Sequence, residues 1–559
     1  MMKTATLVVT QTIALGLLPL GALAATFQLE EATIVDINRA FDSGALTSEQ
    51  LVQLYLNRIA AYDQTGPKLN SVLTINPNAS QEAALLDVER QTFGPRSTLH
   101  GIPVLLKDNV DTFDLPTTAG SVALAGSIPP DDAFITQQLR DAGAIILGKA
   151  NMSEFAGFLS IGTPGGYSSI GGFVFNPYNP TPLPNSDGRP ALSPAGSSSG
   201  SGVATAANLA TFTIGTETAG SIIGPANANS VVGIKPTLGL VSRDGIVPIA
   251  LSRDTAGPMT KTVTDAAIAL GFLTGVDPSD PATSASEGKF YTDYTRFLDR
   301  DGLQGTRIGV PRDFYWDTLT DEQKGLMEEA IATIESLGAT VVSADIPTAE
   351  ETALRFNDII PVLSYEFKRD INAYLASLGP DAPVKTLSDI ITLNNANPDV
   401  AIKYGQRLLV GAESLDLEKD LSNYLEELAT DIRLAKDEGL DLVIDQYDLD
   451  AFLFPSSRGS SIGAKAGYPS VTLPTGYTSD GVPLNITFLG SAFDEPTLIK
   501  FAYSYEQATL ARIPPASTPP LSGEEFEYET VPEPGMVIAL GVVGLSTLSL
   551  KRKKTQISA

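Results

Sequence analysis

Segments in which apolar residues recur at helical spacing alternate along this chain with short, continuous apolar runs. Thr47–Gln50 and Thr320–Gln323 carry the capping-box pattern, a threonine followed three residues later by glutamine, so each predicts the start of a helix. The second helical pattern ends at Gly338, and the apolar run Thr340–Val342 follows it. Because helix, glycine and buried strand succeed one another in this way, the pattern predicts an α/β protein.

Two polar stretches interrupt this alternation. Gly162–Pro194 is crowded with Gly, Pro, Ser and Asn and predicts a long irregular loop, a feature that in compact domains is usually functional. Asp277–Glu287 is polar throughout most of its length and predicts a linker or surface excursion between the two parts of the body.

Both ends of the chain have the pattern of sorting signals. Lys3 precedes the apolar run Leu7–Leu20, and Ala22–Ala24 offers a small-residue cleavage site, which predicts a secretory signal peptide over residues 1–24. At the other end, the apolar stretch Met536–Leu550 is followed by four basic residues, which would hold that end on the cytoplasmic side of a membrane.

The motif Val531–Pro534 resembles the PEP-CTERM sorting tag of bacterial surface proteins, which is cut after export. The resemblance implies a tag over residues 531–559, membrane contact only before processing, and sorting machinery as a partner. A plain C-terminal anchor is the alternative, although the apolar stretch is short for a span of about 17–25 residues. On either interpretation the body, residues 25–525, is expected to work outside the cytoplasm, released or at the cell surface.

The composition narrows the possible chemistry. The 559 residues are 43% hydrophobic and 18% charged, which is ordinary for a globular protein, and the net charge of −28 disfavours a nucleic-acid partner. The chain has no cysteine, which excludes thiol nucleophiles and disulfides, and its only histidine is His100, which excludes a His-rich zinc site. A hydrolase of this composition is expected to use a lysine or a carboxylate as its general base.

Three segments carry side chains suited to acyl transfer. Gly101–Asn109 brings Lys107 to the carboxyl end of a predicted strand, where burial would lower the lysine pKa and make it a neutral base. Ser193–Gly202 is a Gly-Ser string ahead of a small-residue helix, and Gly215–Pro225 presents Ser221 after small residues. Considered alone, the Gly-Ser string is also typical of a flexible linker, and the position of Lys107 is also typical of a solvated strand end.

Together these segments resemble the amidase signature family. The resemblance continues through Ser252–Thr260 and Ala466–Gly476, and it covers about Phe27 to Pro515. It implies an α/β protein with the amidase signature fold, in which a central mixed β-sheet is covered by helices on both faces. It also implies hydrolysis of carboxamide bonds without a metal or cofactor, with a small-molecule or peptide amide as substrate.

The resemblance assigns roles position by position. Ser221 matches the nucleophile, Ser197 the bridging serine that follows a cis peptide bond, and Lys107 the base. The oxyanion hole is expected from the backbone amides of Thr218, Ala219, Gly220 and Ser221. Tyr167 in the long loop and Ser198 are expected to contact substrate.

The chain departs from the family pattern in two segments near the site. The usual Gly-Gly-Ser-Ser-Gly-Gly reads Ala-Gly-Ser-Ser-Ser-Gly over Ala195–Gly200, and Ile223 stands where an arginine is common. These changes, together with Gly239–Gly245, are similar to bacterial peptide amidases, which remove the terminal amide of peptides. A C-terminal peptide amide is therefore the expected substrate, with an acylamidase or fatty acid amidase as the alternative.

Other interpretations fit the sequence less well. Ser198 also fits the nucleophile elbow of α/β-hydrolases, but that family needs a histidine after the serine, and His100 precedes it. A component of the glutamyl-tRNA amidotransferases shares the motifs, but the predicted signal peptide and the acidic body disfavour it. An inactive surface binding module remains the alternative from another functional class.

Overall fold

The computed structural model describes residues 23–357 and 361–530, with side chains described over 25–354 and 361–529. Its strands are β1 (Leu23–Gln28), β2 (Val72–Ile75), β3 (Pro103–Lys107), β4 (Ile145–Ala150), β5 (Tyr167–Ser168), β6 (Gly172–Phe173), β7 (Phe212–Glu217), β8 (Val232–Lys235), β9 (Thr255–Thr260), β10 (Arg307–Val310), β11 (Thr340–Ser343), β12 (Ala451–Pro455), β13 (Ser470–Tyr477), β14 (Pro483–Leu489) and β15 (Glu525–Thr530). Its α-helices are α1 (Ile34–Asp42), α2 (Ser48–Arg58), α3 (Ala79–Phe93), α4 (Phe134–Asp141), α5 (Ser199–Ala206), α6 (Ile223–Ala228), α7 (Val263–Gly271), α8 (Asp321–Ser336), α9 (Ala349–Asn357), α10 (Pro361–Ser377), α11 (Leu387–Ala396), α12 (Pro398–Ala401), α13 (Arg407–Glu413), α14 (Leu421–Ile432), α15 (Asp441–Tyr447), α16 (Ser460–Ala466) and α17 (Glu495–Thr509).

A mixed sheet forms the centre of the molecule. Within the described residues it has eleven strands in the order β11-β10-β12-β14-β13-β8-β9-β7-β3-β4-β2, and helices flank it. The strands β7, β3 and β4 run parallel, whereas β9, β8, β13 and β14 pair antiparallel with their neighbours. The predicted α/β architecture with a mixed sheet is thereby confirmed.

Local sequence signals account for several element boundaries. Thr47 and Thr320 cap α2 and α8. In each case the side chain of the glutamine three residues later accepts a hydrogen bond from the backbone N–H of the threonine, so both predicted capping boxes are confirmed. β11 follows α8 where the apolar run predicted a strand. The strand β3 is buried at every position because it lies between β4 and β7 in the middle of the sheet.

The two polar stretches behave differently from each other. Residues 162–194 form the expected irregular loop, broken only by the short strands β5 and β6. Residues 277–287 are a surface excursion, one of the two predicted alternatives, because several of them are exposed; they are not a free linker, since Pro281–Ser286 is a 3₁₀ helix whose Ser286 is fully buried. Asp280, also buried, accepts hydrogen bonds from the Arg243 guanidinium, so this segment is packed onto the body.

A second hydrophobic core lies between helices and loops, apart from the core around the main sheet. We call it the helical core; it joins α10, α11 and α13 to the loops around Phe158 and Ile249. At its centre Phe367 of α10 is fully buried, with its ring centroid 4.6 Å from that of Phe158. This core therefore packs together elements that are far apart in sequence.

The two ends of the described chain lie side by side. β1 and β15 pair antiparallel, with Leu23 opposite Thr530, and the Phe27 and Phe526 rings stack at 5.0 Å. Most of the predicted signal peptide and all of the predicted tag lie outside the described residues. Within the described residues, no helix combines the length and apolar character that crossing a membrane requires.

Candidate active site

The three motif segments meet beside one cavity. Lys107 is the last residue of β3, Ser197 precedes α5, and Ser221 lies in the turn between β7 and α6. The parallel pairing of β3 with β7 brings the ends of these two strands together. The string that precedes α5 is thus not a linker, and Lys107 is fully buried rather than solvated.

Lys107 is held by three oxygen atoms. Its Nζ lies 2.8 Å from Ser197 Oγ, 2.8 Å from Thr216 Oγ1 and 3.0 Å from the Thr216 carbonyl. Burial lowers the pKa of Lys107 to about 7, against the opposing effect of the Asp254 and Glu217 carboxylates. The amine is therefore divided between its neutral and charged forms near neutral pH.

The surroundings of Lys107 suit a neutral amine as well as an ammonium ion. A neutral lysine amine has two N–H donors and one lone pair, and Thr216 offers two acceptors to those donors. The lone pair can then accept the Ser197 O–H. Thr216 Oγ1 is itself held by an N–H of Asn109 at 3.0 Å. Sequence reasoning gave no role to Thr216 or Asn109, although both stand inside the recognised motif segments.

Ser197 and Ser221 line the same cavity. The peptide bond Gly196–Ser197 is cis, as the family resemblance predicted. The Ser221 carbonyl accepts a hydrogen bond from the Ser198 N–H at 3.2 Å. Within the described part of the chain, the Ser221 hydroxyl forms no side-chain hydrogen bond, so it is free to meet a ligand in the cavity.

The turn that carries Ser221 is shaped by its neighbours. Gly220 has φ +91°, a conformation that favours glycine, and the Thr218 hydroxyl donates to the buried carboxylate of Asp254. Among the described residues, nothing accepts hydrogen bonds from the N–H groups of Ala219, Gly220 and Ser221. Such a run of unpaired amides can stabilise an anion.

The Glu217 carboxylate stabilises this turn through hydrogen bonds to the two residues that follow Ser221. Its Oε2 accepts hydrogen bonds from the N–H groups of Ile222 at 2.7 Å and Ile223 at 3.0 Å. Ile223, at the position where the family usually has an arginine, is fully buried. Glu217 Oε1 is buried without a hydrogen-bond partner in the described structure.

The cavity beside the serines has a volume of about 370 Å³. Neither residue that was predicted to contact substrate lines it. Tyr167 packs against Phe173 and Tyr404 at centroid distances of 5.0 and 4.8 Å. The Ser198 hydroxyl donates to the Thr216 carbonyl at 3.0 Å and is fully buried.

His100, the only histidine, is a structural residue, whereas Ser153 borders the cavity. His100 is buried and does not line the cavity. Its Nε2 lies 2.9 Å from the Leu86 carbonyl oxygen, and its Nδ1 accepts a hydrogen bond from the Arg96 N–H. Ser153 lines the cavity, and its hydroxyl accepts the Gly166 N–H at 2.9 Å. No cluster of His, Asp or Glu suited to a metal ion occurs within the described residues.

Comparison with known proteins agrees with this geometry. The model of the amidase family matches residues 50–499. A probable amidase of Arabidopsis thaliana is 41% identical over 88% of this chain and 93% of its own length. An amidase family protein of Bacillus anthracis, whose crystal structure is known, is 39% identical, covers 87% of this chain and 92% of its own, and superposes with a TM-score of 0.79.

A second solved structure extends the comparison. The native peptide amidase of Stenotrophomonas maltophilia superposes with a TM-score of 0.81 and 43% identity, covering 88% of this chain and 99% of that one. The range matched by the family model, residues 50–499, includes all three motif segments. This chain therefore belongs to the amidase signature family and is an amide hydrolase.

Proposed function

We propose that this enzyme hydrolyses carboxamides through a Ser221–Ser197–Lys107 relay and an acyl-enzyme. The observation that carries the proposal is the 2.8 Å hydrogen bond between Lys107 Nζ and Ser197 Oγ, formed by a buried amine whose pKa lies at about 7. A serine hydroxyl is a weak nucleophile until an adjacent base accepts its proton. Neutral Lys107 can serve as that base only through Ser197.

Acylation forms the ester and releases the amine. Ser221 Oγ bonds to the carbonyl carbon as its proton passes to Ser197 Oγ, whose own proton passes to Lys107 Nζ. The carbonyl oxygen becomes an oxyanion beside the free amides of Ala219, Gly220 and Ser221, and Thr218 completes the predicted oxyanion hole; each such donor is worth roughly 3–4 kcal/mol in comparable sites. The C–N bond then breaks, and the leaving nitrogen takes a proton back through Ser197.

Deacylation repeats this sequence with water as the nucleophile. The water loses a proton through Ser197 to Lys107 while its oxygen bonds to the acyl carbon. Collapse of the second tetrahedral intermediate breaks the ester bond and returns a proton to Ser221. The products are a carboxylic acid and an amine, which is ammonia when the substrate is a primary amide, and no metal or cofactor takes part.

We propose C-terminal peptide amides as the substrates. The similarity to peptide amidases supports this choice. One peptide amidase structure, which is 43% identical to this chain and superposes with a TM-score of 0.81, contains the competitive inhibitor chymostatin. The cavity volume of about 370 Å³ lies within the roughly 300–1,000 Å³ usual for ligand pockets, so it can hold a peptide residue.

Two measurements test this function. Ammonia release from peptide amides, free amino acid amides, anilides and fatty amides should be fastest with peptide amides, and faster turnover of anilides or fatty amides would contradict the substrate choice. A fluorophosphonate probe should label the wild type but not Ser221→Ala. Labelling at another residue would contradict the assignment of Ser221 as nucleophile, and the absence of labelling would favour the inactive binding module.

We further propose that the protein is exported, with a signal peptide over residues 1–24 and a PEP-CTERM tag over 531–559. The sequence patterns at both ends support this proposal. Expression of the full chain in a bacterium with the sorting system should give an extracellular or surface protein beginning at Ala25. Recovery of the uncut chain from the cytoplasm would contradict export.

A further inference from the structure

The cavity beside Ser221 has no charged side chain in its lining. Of the described residues, seventeen line it, and all are glycine, alanine, serine, threonine or larger apolar residues. Six of them carry a hydroxyl, and three of these, Ser197, Thr218 and Ser221, lie where the proposed chemistry takes place. The remaining lining residues are glycine or apolar. A ligand group that enters this part meets hydrocarbon rather than a counter-ion.

The apolar part of the lining is the face of the helical core. Phe158, Ile249, Leu363 of α10 and Leu408 of α13 belong both to that core and to the cavity wall. The Phe367 ring packs against the Phe158 ring, and the Leu408 N–H donates to the Leu159 carbonyl at 3.2 Å. Apolar packing and a backbone hydrogen bond therefore hold this wall together.

Asp254 and Lys107 are buried near the cavity but absent from its lining, and both are engaged by partners within the fold. The Asp254 carboxylate accepts the Thr218 hydroxyl and the N–H groups of Ile249 at 2.8 Å and Ala250 at 2.9 Å, so its oxygens are engaged. Lys107 is fully buried behind Ser197. An ionised group in the cavity would lose its water and gain no ion pair, which is costly.

We propose that this cavity binds the acyl side of the substrate as an uncharged apolar residue, and that Leu363 and Leu408 set this selectivity. The inference rests on the proposed function, in which the leaving group is ammonia and needs little space. The cavity volume of about 370 Å³ is then available to the acyl residue. Substrates with an ionised side chain or a free α-ammonium group at that residue are excluded.

Matched substrates test the proposal in the wild-type enzyme. N-acetyl-norleucine amide and N-acetyl-lysine amide differ in the terminal ammonium, and N-acetyl-methionine amide and N-acetyl-glutamate amide differ in the carboxylate. The apolar member of each pair should have a kcat/KM for ammonia release at least about tenfold higher, and norleucine amide without its acetyl group should be similarly poor. Equal values within each pair would overturn the proposal.

Variants test the two leucines. Leu408→Arg places a cation in the cavity and should raise the glutamate-to-methionine ratio of kcat/KM by about tenfold or more. Val410→Arg is the matched control, because Val410 lies on the same helix α13 but is 49% exposed and does not line the cavity, so the ratio should stay unchanged. Leu363→Arg repeats the test from α10, and a wild-type ratio in both folded leucine variants would overturn their role.

Two kinds of failure can be told apart in these experiments. If no amide releases ammonia and the fluorophosphonate does not label Ser221, the proposed function fails. If labelling and ammonia release occur without preference between the matched pairs, the function stands and the selectivity proposal fails. Labelling of Ser221 in Leu408→Arg and Leu363→Arg also shows whether each variant has kept a folded site.

Discussion

The two walls of the cavity are built by different means. On the sheet side, Lys107 is fixed by hydrogen bonds to Ser197 and Thr216, each with a defined donor and acceptor. On the helical side, the side chains of Leu363 and Leu408 are held by apolar packing. Hydrogen bonds are directional, whereas apolar packing tolerates changes of shape at modest cost. We therefore expect that substitutions on the helical side can alter substrate choice without altering the reaction chemistry on the sheet side.

The sharpest test of the sheet side is Lys107→Arg. Arginine keeps the positive charge but cannot give up its proton near neutral pH, so the relay has no base. We expect kcat/KM for a peptide amide to fall by about 10⁴-fold or more, as when other catalytic relays lose a member. The assay is ammonia release near pH 8, together with a circular dichroism spectrum to show that the variant is folded.

Lys261→Arg is the matched control for that variant. Lys261 is also buried, and burial lowers its pKa to about 8, but its Nζ donates to the Glu30 carbonyl and Asn208 Oδ1 and lies outside the cavity lining. This control should keep activity within a few-fold of the wild type. If Lys107→Arg kept more than about a hundredth of the activity, the relay would be refuted.

Phe367→Ala should destabilise the packing on the helical side of the cavity. Removing this fully buried ring leaves a cavity behind Phe158, and such truncations usually cost about 3–5 kcal/mol of the free energy of unfolding. We expect KM for an apolar peptide amide to rise severalfold, because the wall loosens, while the rate of fluorophosphonate labelling of Ser221 changes little. Urea unfolding and steady-state kinetics measure the two effects.

Phe501→Ala provides the comparison for that loss. Phe501 lies on α17 in the core of the main sheet, 2% exposed and away from the cavity. It should lose a similar free energy of unfolding and leave KM unchanged. An equal change of KM in both variants would mean that global destabilisation, rather than the wall, controls substrate binding.

The acid limb of the pH profile tests the electrostatics of the sheet side. Lys107 must be neutral to act, and its pKa lies at about 7, so kcat/KM should fall as pH drops through that value. Asp254 raises the Lys107 pKa, and burial raises its own pKa to about 6, so its carboxylate is mostly ionised at pH 7. Asp254→Asn should therefore move the acid limb to lower pH.

Asp254→Asn also preserves the shape of the site. The asparagine oxygen can accept from Ile249 and Ala250 while its amide donates to the Thr218 hydroxyl, so the existing contacts have replacements. Asp370→Asn is a control, because Asp370 lies on α10 and is not among the groups that shift the Lys107 pKa. A limb that stayed in place in Asp254→Asn, or that moved to higher pH, would contradict the assigned charge effect.

The two walls also differ in how far their sequences predict them. The strand that carries Lys107 and the small-residue turn that carries Ser221 have local patterns, whereas the mixed sheet and the meeting of the three motif segments were expected only from the family resemblance. Leu363 and Leu408 lie in helices with ordinary apolar spacing, and only the tertiary packing shows which leucine faces the cavity. Sequence spacing alone does not give that direction.

Tyr167 shows the same limit from the opposite direction. Its place in a long irregular loop near the motif segments predicted contact with substrate, but its ring is covered by Phe173 and Tyr404. Residues 277–287 were likewise predicted from their polarity as a linker or surface excursion. Their buried contact with Arg243 depends on a partner about 37 positions earlier in the chain, which composition does not reveal.

The smallest expected effect concerns the contact that joins the loop of Tyr167 to the helical side. Tyr404, just before α13, packs edge-on against Tyr167 and donates to the exposed carboxylate of Asp187. Tyr404→Phe removes only that hydrogen bond. Because the carboxylate is accessible to water, we expect stability to change by less than about 1 kcal/mol and kcat/KM by no more than about twofold.

Tyr404→Ala removes the ring as well and separates the two contributions. The loop that it holds also carries Gly162 and Gly165 to the cavity, while α13 carries Leu408. We expect KM to rise about threefold with kcat unchanged, because the walls move relative to each other but the relay does not. If kcat fell instead, with KM constant, this aromatic contact would have to position Ser197 and Lys107, and the two walls would not be independent.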